Sequence, residues 1–371
     1  MASALKHSSW KDLLEKLEAR LFLWTHRALN MASRIVLIKA ILHSMPLYIF
    51  SLLAVPKWVL KEIKNLQRNF LWGSSGPNRK WALVKRENVC LPKKVGGIRL
   101  RDPEHSNKVM GAKIWWRWLA YPNTPWASLW TEKYASNNPI EYRICMSEVS
   151  TGSVVWNSAI QHRDLIQKNI FWEIKSGNKA IFWEDSSQQL PHIKDIFHNL
   201  PFPVQGINQS AKVNQFWNPS PTQKYRKWKE ANQILMEGGY ELTQHSLSLE
   251  LKKWQIPIAE GPDILIWGYE ERGTFTTREE YKIIIKEQII KDTLWDKLWN
   301  SSNWLKVSTF LWLLYHNKIL TWDNLRKIIF SGPSISLNSK QEEESTIHLM
   351  QTCQIGWKLW EKVSFRCQKY G

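Results

Sequence analysis

Lys57, Lys61, Lys64 and Arg68 recur at i, i+4, i+7 and i+11, a spacing that lines side chains along one side of an α-helix. Such a row is roughly 16 Å long at 1.5 Å per residue and suits the phosphates of a polyanion. Eight more cations crowd the next stretch: Arg79, Lys80, Lys85, Arg86, Lys93, Lys94, Arg99 and Arg101. Most charged stripes are the solvated face of a core helix. Here Glu62 is the only acid between Lys57 and Arg68, and its helical position turns it away from them. The chemistry this pattern supports is electrostatic. It holds a phosphate backbone without reading bases.

Covalent chemistry has less support. The sequence holds no glycine-rich phosphate loop, no H-E-x-x-H and no G-x-S-x-G. Cys90 lies among basic residues, which could lower its pKa. With no histidine paired to it, a structural or incidental thiol is the simpler reading. Cys90, Cys145, Cys353 and Cys367 are widely spaced, which argues for a reducing compartment rather than a disulfide framework.

The elements that must carry these residues are mostly helical. Trp10, Leu13, Leu14, Leu17 and Leu21 predict a first amphipathic helix, with Ser8 or Ser9 as a cap. Ile35, Ile38, Leu42 and Met45 predict a second, over 31–44, ended by Pro46. Pro56 starts the third, the one with the cation row. Its opposite face carries Val59, Ile63, Leu66 and Phe70. Residues 74–102 read as turns and short strands, with a tight turn or close backbone approach at Gly96-Gly97. Asp102-Pro103 and Thr124-Pro125 read as helix starts. Residues 154–174 look helical, 180–183 a short strand, and 264–267 with 273–275 a hairpin. Thr277 with Glu280 resembles a capping box. Further helices are expected over 225–236, from 294 to 314, from Thr321, and over 347–363. A polar loop covers 331–345. The expected fold is mainly α, helical modules with small β-hairpins, in two or three loosely joined domains. The boundaries fall at 1–150, 151–262 and 263–371, with a linker near 199–223 rich in Pro, Asn, Gln and Ser.

Composition narrows the class. The chain has 371 residues, 43% apolar and 23% charged, with a net charge of +18 and 24 tryptophans. It can bury cores and is not that of a disordered polypeptide. Residues 1–150 carry 24 Lys and Arg against 10 Asp and Glu, so most of the positive field arises there. Such a field attracts nucleic acid or an anionic membrane surface. The ordered cation row favours nucleic acid. The longest apolar run, 45–56, is too short to span a bilayer. The N-terminus shows no signal-peptide pattern. The expectation is an intracellular protein, nuclear or cytoplasmic, without membrane contact. Most tryptophans should pack in cores. A few on basic surfaces could stack on nucleobases.

Several segments together resemble the C-terminal portion of plant LINE-type non-LTR retrotransposon reverse-transcriptase polyproteins. They are SRIVLIKAILHSMPLYIFSLLAVP (33–56), LQRNFLWG (66–73), CLPKKVGGIRLRD (90–102), GNKAIFWED (177–185), GTFTTREEY (273–281), WLKVSTFLWLLYHNKILTWDNL (304–325) and ESTIHLMQTC (344–353). The resemblance covers nearly the whole chain. It implies a thumb-like and post-thumb region, a connector, and a reverse-transcriptase zinc-binding-like domain.

Two departures shape the expectation. The parent family is an RNA-directed DNA polymerase whose palm aspartates hold two metal ions. This chain has no Asp-Asp dipeptide. The family's zinc pattern is C-x-x-C, a spacer, then H-x-x-x-x-C. His348 and Cys353 keep its second half, but no cysteine lies within 332–338 where the first half belongs. Zinc is therefore expected to be lost, with Trp312, Leu349, Trp357 and Trp360 packing the lobe and the loop from 331 to 345 mobile. The expected function is non-catalytic binding of RNA or an RNA–DNA duplex, with no cofactor, beside a catalytic reverse-transcriptase chain. The alternative is a decayed retroelement product with no selected role, or only a protein-interaction role.

Overall fold

The computed structural model describes residues 7–25, 28–73, 80–135, 152–182, 185, 211–218, 225, 227–229, 256, 259–268, 273, 275–276, 293–300, 304–328 and 331–370, with side chains in the last helix described to 362. The expected capping box at Thr277 and most of the expected linker lie outside these residues; of the helix expected over 225–236, the described part is instead a short strand, Lys227–Trp228, drawn out by antiparallel pairing with Trp217–Asn218. The fold is mainly α, as the periodicities predict. The chain divides into two compact units. A terminal unit comprises Leu5–Tyr48, Val55–Ser106 and Ile284–Gly371. A central unit comprises Met1–Ala4, Ile49–Ala54 and Asn107–Ile283.

The terminal unit begins with α1 (His7–Thr25), whose Trp10, Leu13, Leu17 and Leu21 are buried. Asn30 caps α2 (Met31–Leu37), its Oδ1 accepting from the Ser33 N–H at 2.9 Å. The expected second helix does not run as one α-helix. Residues Ile38–Leu42 form a π-turn, closed by His43 N–H donating to Ile38 O at 3.1 Å. The wider turn keeps Ile35, Ile38 and Leu42 all buried. A short helix, α3 (Leu47–Leu52), follows. Then α4 (Lys57–Trp72) starts directly after Pro56 and packs against α1 and α2. Val59, Ile63 and Phe70 of its predicted apolar face are buried; Leu66 is half-buried and Gln67 is buried beside it. Gly73 ends α4 with a left-handed φ of +73°.

Where strands were expected over 74–102, the described residues form α5 (Arg86–Cys90) and a 3₁₀ turn, Lys93–Val95. The glycine pair behaves as predicted. Gly96 has φ +89° and faces the Trp295 ring, and a Cβ on Gly97 would lie 1.9 Å from Leu91 O. The tryptophan core continues through α10 (Thr293–Leu298) and α11 (Leu305–Tyr315), which pack together, and α12 (Trp322–Arg326) follows Thr321. Trp312 is fully buried and donates from Nε1 to Gly96 O at 2.7 Å.

The central unit is built on α6 (Pro103–Ala120), α7 (Pro125–Ala135), α8 (Val154–Gln161) and α9 (Arg163–Gln167). Asn107 donates to Phe50 O and Leu53 O, satisfying the carbonyl end of α3. Trp115, Trp118 and Trp156 are fully buried, and Tyr134 stacks on Trp156 with centroids 4.1 Å apart. The periodicity predicted helix through residue 174. Instead the apolar run Ile170–Glu173 is β1, pairing antiparallel with β4 (Ile264–Trp267). Three consecutive buried residues, Ile170, Phe171 and Trp172, are covered on both faces, and pairing to a distant strand overrides the helical pattern. The expected hairpin is thus corrected: β4 takes β1 as its partner, and among the described residues of the 273–276 stretch Gly273 O meets β4, accepting from Trp267 N–H at 2.7 Å. A second small sheet joins β2 (Trp217–Asn218) to β3 (Lys227–Trp228). Within the stretch read as a linker, Ala211, Val213, Phe216 and Trp217 are buried in this core.

One carboxylate organises the loop before β2. Asp263, 2% exposed, accepts from the N–H groups of Lys175, Gly177 and Lys179 at 2.8 Å each and of Ala180 at 3.4 Å. Asp185 does the same locally for Ile181 N–H at 2.7 Å.

Candidate nucleic-acid interface

The cation row of α4 forms, but not as four equivalent charges. Lys57, Lys61 and Arg68 are exposed. Lys64 is not solvated alone: its Nζ lies 3.2 Å from Asp102 Oδ1 and 3.0 Å from Glu104 Oε2. The partners come from the start of α6, too far along the chain for helical spacing to show them. Arg86 is held in the same cluster. Its Nε donates to Asp102 Oδ2 at 3.0 Å, its Nη2 to Gln67 Oε1 at 2.6 Å and its Nη1 to Lys64 O at 3.4 Å.

Asp102 is the hinge of this arrangement. It caps α6 as the Asp-Pro pair predicts, its Oδ1 accepting from Glu104 N–H at 2.9 Å. Burial alone would raise its pKa, but the charge and hydrogen bond of Arg86, then those of Lys64, hold it below the usual carboxylate value. For Lys64, burial acts to lower the pKa, and the carboxylates of Glu104 and Asp102 raise it above the ordinary lysine value instead.

Beside this cluster lies a cavity of about 720 Å³, lined in part by Lys64, Arg68, Lys85, Arg86, His316 and Lys318. Lys85 is exposed. Four residues of the predicted set therefore converge on one concave surface. His316 and Lys318 join them from the turn after α11, 230 or more residues further on. No local pattern in the sequence connects them to the row. Cys90 also lines the cavity, and burial pushes its thiol up to about 11. Desolvation outweighs the charge of Arg86, so the basic neighbours do not activate this thiol.

The remaining predicted cations lie elsewhere. Lys80 and Lys94 are exposed, and Arg101 is half-buried. Arg79 lies outside the described residues. Lys93 sits over the Trp299 ring at 4.6 Å. Arg99 is exposed with φ +57°. Lys39, absent from the predicted set because it falls on an apolar stripe, donates to Ile98 O at 2.9 Å. Burial, then the charges of Lys93 and Arg99, lower its pKa to about 8. His43 accepts from Arg101 N–H at 3.2 Å, and burial followed by Arg101, Lys39 and Arg86 drives its pKa to about 3.

The structure also places His348 and Cys353, the two residues that match half of the expected zinc pattern. His348 and Cys353 are both buried and bracket a second π-turn, His348–Thr352, closed by Cys353 N–H donating to His348 O at 2.7 Å. On an α-helix they would stand about 140° apart; the wider π-turn, with its bond spanning five residues, narrows that angle. Among the described residues no three His, Cys, Asp or Glu are grouped to hold a metal. The residues present do not fit a closed tetrahedral zinc site. Two of the four residues expected to pack this lobe do not. Trp357 is 64% and Trp360 52% exposed; among the described residues, the stronger packing of α13 (Gln354–Tyr370) is onto the π-turn.

Residues 275–360 match the family described as zinc-binding in reverse transcriptase. Over 363 residues, 97% of the chain, the sequence is 26% identical to an Arabidopsis thaliana protein provisionally named a ribonuclease H protein. The chain spans 56% of that relative's length. Both similarities point to a retrotransposon-related protein. Among the described residues no helix is long and apolar enough to cross a membrane.

Proposed function

We propose that the terminal unit binds the phosphate backbone of RNA or an RNA–DNA duplex, as a non-catalytic part of a LINE-type reverse-transcriptase polyprotein. The observation that carries this reading is the cavity where Arg68, Lys85, Arg86 and Lys318 meet, Arg68 standing on the helix that also carries the exposed Lys57 and Lys61. Each exposed cation releases counterions on meeting a phosphate, and low-dielectric walls strengthen the field between them. Lys64 and Arg86 are held by Asp102 and so shape the surface more than they add charge to it. The similarity to a protein named for ribonuclease H supports a nucleic-acid partner. The compartment follows the partner, nuclear or cytoplasmic. Catalysis belongs to a separate reverse-transcriptase chain.

The test is charge reversal of Lys61, Arg68 and Lys85 to Glu, with Lys64 and Arg86 left in place. Fluorescence anisotropy with labelled RNA, DNA and hybrid duplexes should show affinity lost for all three. A second reading, a protein-interaction role alone, is favoured by the exposed Ile355, Trp357, Leu359 and Trp360 of α13. Under that reading the charge-reversed protein binds nucleic acid no differently from the parent.

A further inference from the structure

Structural zinc sites space their ligands as C-x₂₋₄-C followed by H-x₃₋₅-H or a cysteine variant. In this chain Ser336 and Ser339 are separated by two residues, and His348 and Cys353 by four. The spacing is that of a metal site, with hydroxyls at the first two positions. Ser336 and Cys353 are each 1% exposed and His348 is 5% exposed. A neutral hydroxyl is a poor donor to zinc, so the sequence alone predicts an open lobe.

The structure closes it by other means. His348 has both ring nitrogens engaged: Nε2 lies 3.0 Å from Ser339 Oγ, and Nδ1 lies 2.7 Å from Glu342 Oε2. Ser345 Oγ accepts from His348 N–H at 3.0 Å. The loop that carries these groups is pinned from within. Ser336 N–H donates to Glu342 O at 2.9 Å, Lys340 N–H to Ser336 O at 2.9 Å and Glu344 N–H to Ser334 O at 2.8 Å. An imidazole that bonds through both nitrogens offers no lone pair to a cation.

We propose that the Ser339–His348–Glu342 cluster is a metal-free polar staple, which holds loop 331–345 onto the π-turn in place of zinc. The hydroxyl of Ser339 stands where a thiolate would bind the metal, and Glu342, outside that spacing, supplies the second bond to the ring. Ser339 and His348 therefore remain in contact, with Cys353 N–H closing the π-turn on His348 O, and two substitutions are expected to restore a metal site.

The experiment uses the full chain. Protein purified without chelator should carry zinc well below one equivalent by inductively coupled plasma mass spectrometry, and EDTA should leave its Tm unchanged. His348→Ala should lower Tm by about 2–4 °C or more, since it removes both bonds at once, and Ser339→Ala by less. The double variant Ser336→Cys with Ser339→Cys should take up one equivalent of zinc, become EDTA-sensitive in Tm, and give a thiolate-to-cobalt charge-transfer band with Co²⁺. One equivalent of zinc in the parent protein, lost with His348→Ala, would overturn the proposal. So would an unchanged Tm for His348→Ala, or a double variant that folds, by circular dichroism, yet binds neither metal. Labelling of Ser339 by a fluorophosphonate would also overturn it, by showing a nucleophile rather than a staple. If the double variant does not fold, the zinc content, the EDTA response and the single variants decide the matter alone.

Discussion

Arg86 Nε donates to Asp102 Oδ2 across 3.0 Å, and the opposite oxygen of the same carboxylate faces Lys64 Nζ at 3.2 Å. One acid thus ties α4, α5 and the first turn of α6 together, and it does so inside the most basic part of the chain. Two cations that would otherwise repel one another are brought side by side on the cavity wall. Replacing Asp102 with Ala removes the cap of α6 and leaves both cations unpaired. The expected loss is on the order of 2–4 kcal/mol, about 1 from the cap and the rest from a partly buried ion pair. Urea unfolding should show it as a lower midpoint with an unchanged m-value.

Acid should destabilise the fold in two stages. His43 and His162 are held neutral, with pKa values lowered to about 3 and about 4 chiefly by burial. The unfolded chain takes up these protons near pH 6.5, and the folded chain does not. Stability therefore falls as pH drops below about 6.5, by about 1.4 kcal/mol per pH unit for each histidine. Asp102 acts lower down. Its pKa is depressed in the folded state, so its contribution is present above the unfolded value and is lost as pH falls below about 4. Tm measured from pH 7.5 to 4.5 should decline, and His162→Asn should flatten the upper part of the decline.

Asp263 should be the least replaceable acid of the central unit. It accepts four backbone N–H groups while 2% exposed. Asp263→Ala leaves these donors buried without partners, at about 1–3 kcal/mol each before relaxation. The expected outcome is loss of soluble protein or a fall in midpoint larger than that of Asp102→Ala. Hydrogen exchange should show loss of protection first at residues 175–180.

The helices were legible because burial follows the 3.6-residue period. Trp10, Leu17 and Leu21 on α1, and Val59 and Ile63 on α4, lie inward as their spacing demands. Caps were legible where one residue makes them, as at Asp102-Pro103. Strand β1 was not, because it pairs with the distant β4, Ile170 opposite Trp267, and no local signal reveals a partner so far along the chain. The two π-turns were not legible either, since one extra residue in a turn leaves the apolar types unchanged. Of the candidate interface, the cation types and the α4 row were readable. Which cations are neutralised was not: Asp102 and Glu104 reach Lys64 from 38 and 40 residues away, and Lys318 and His316 enter the cavity from further still.

The central claim is that exposed cations of α4 and α5 hold phosphates, and the salt dependence of binding tests it most directly. For duplex DNA, log Kobs against log salt falls with a slope of about −0.9 for each phosphate neutralised. The parent protein should show a steep slope that differs little between sequences. The Lys61→Glu, Arg68→Glu, Lys85→Glu variant should show a slope shallower by about 2–3 and weaker binding at every salt concentration, with helicity unchanged by circular dichroism. An equal slope and equal affinity in a folded variant would contradict the account and place any nucleic-acid contact on another surface.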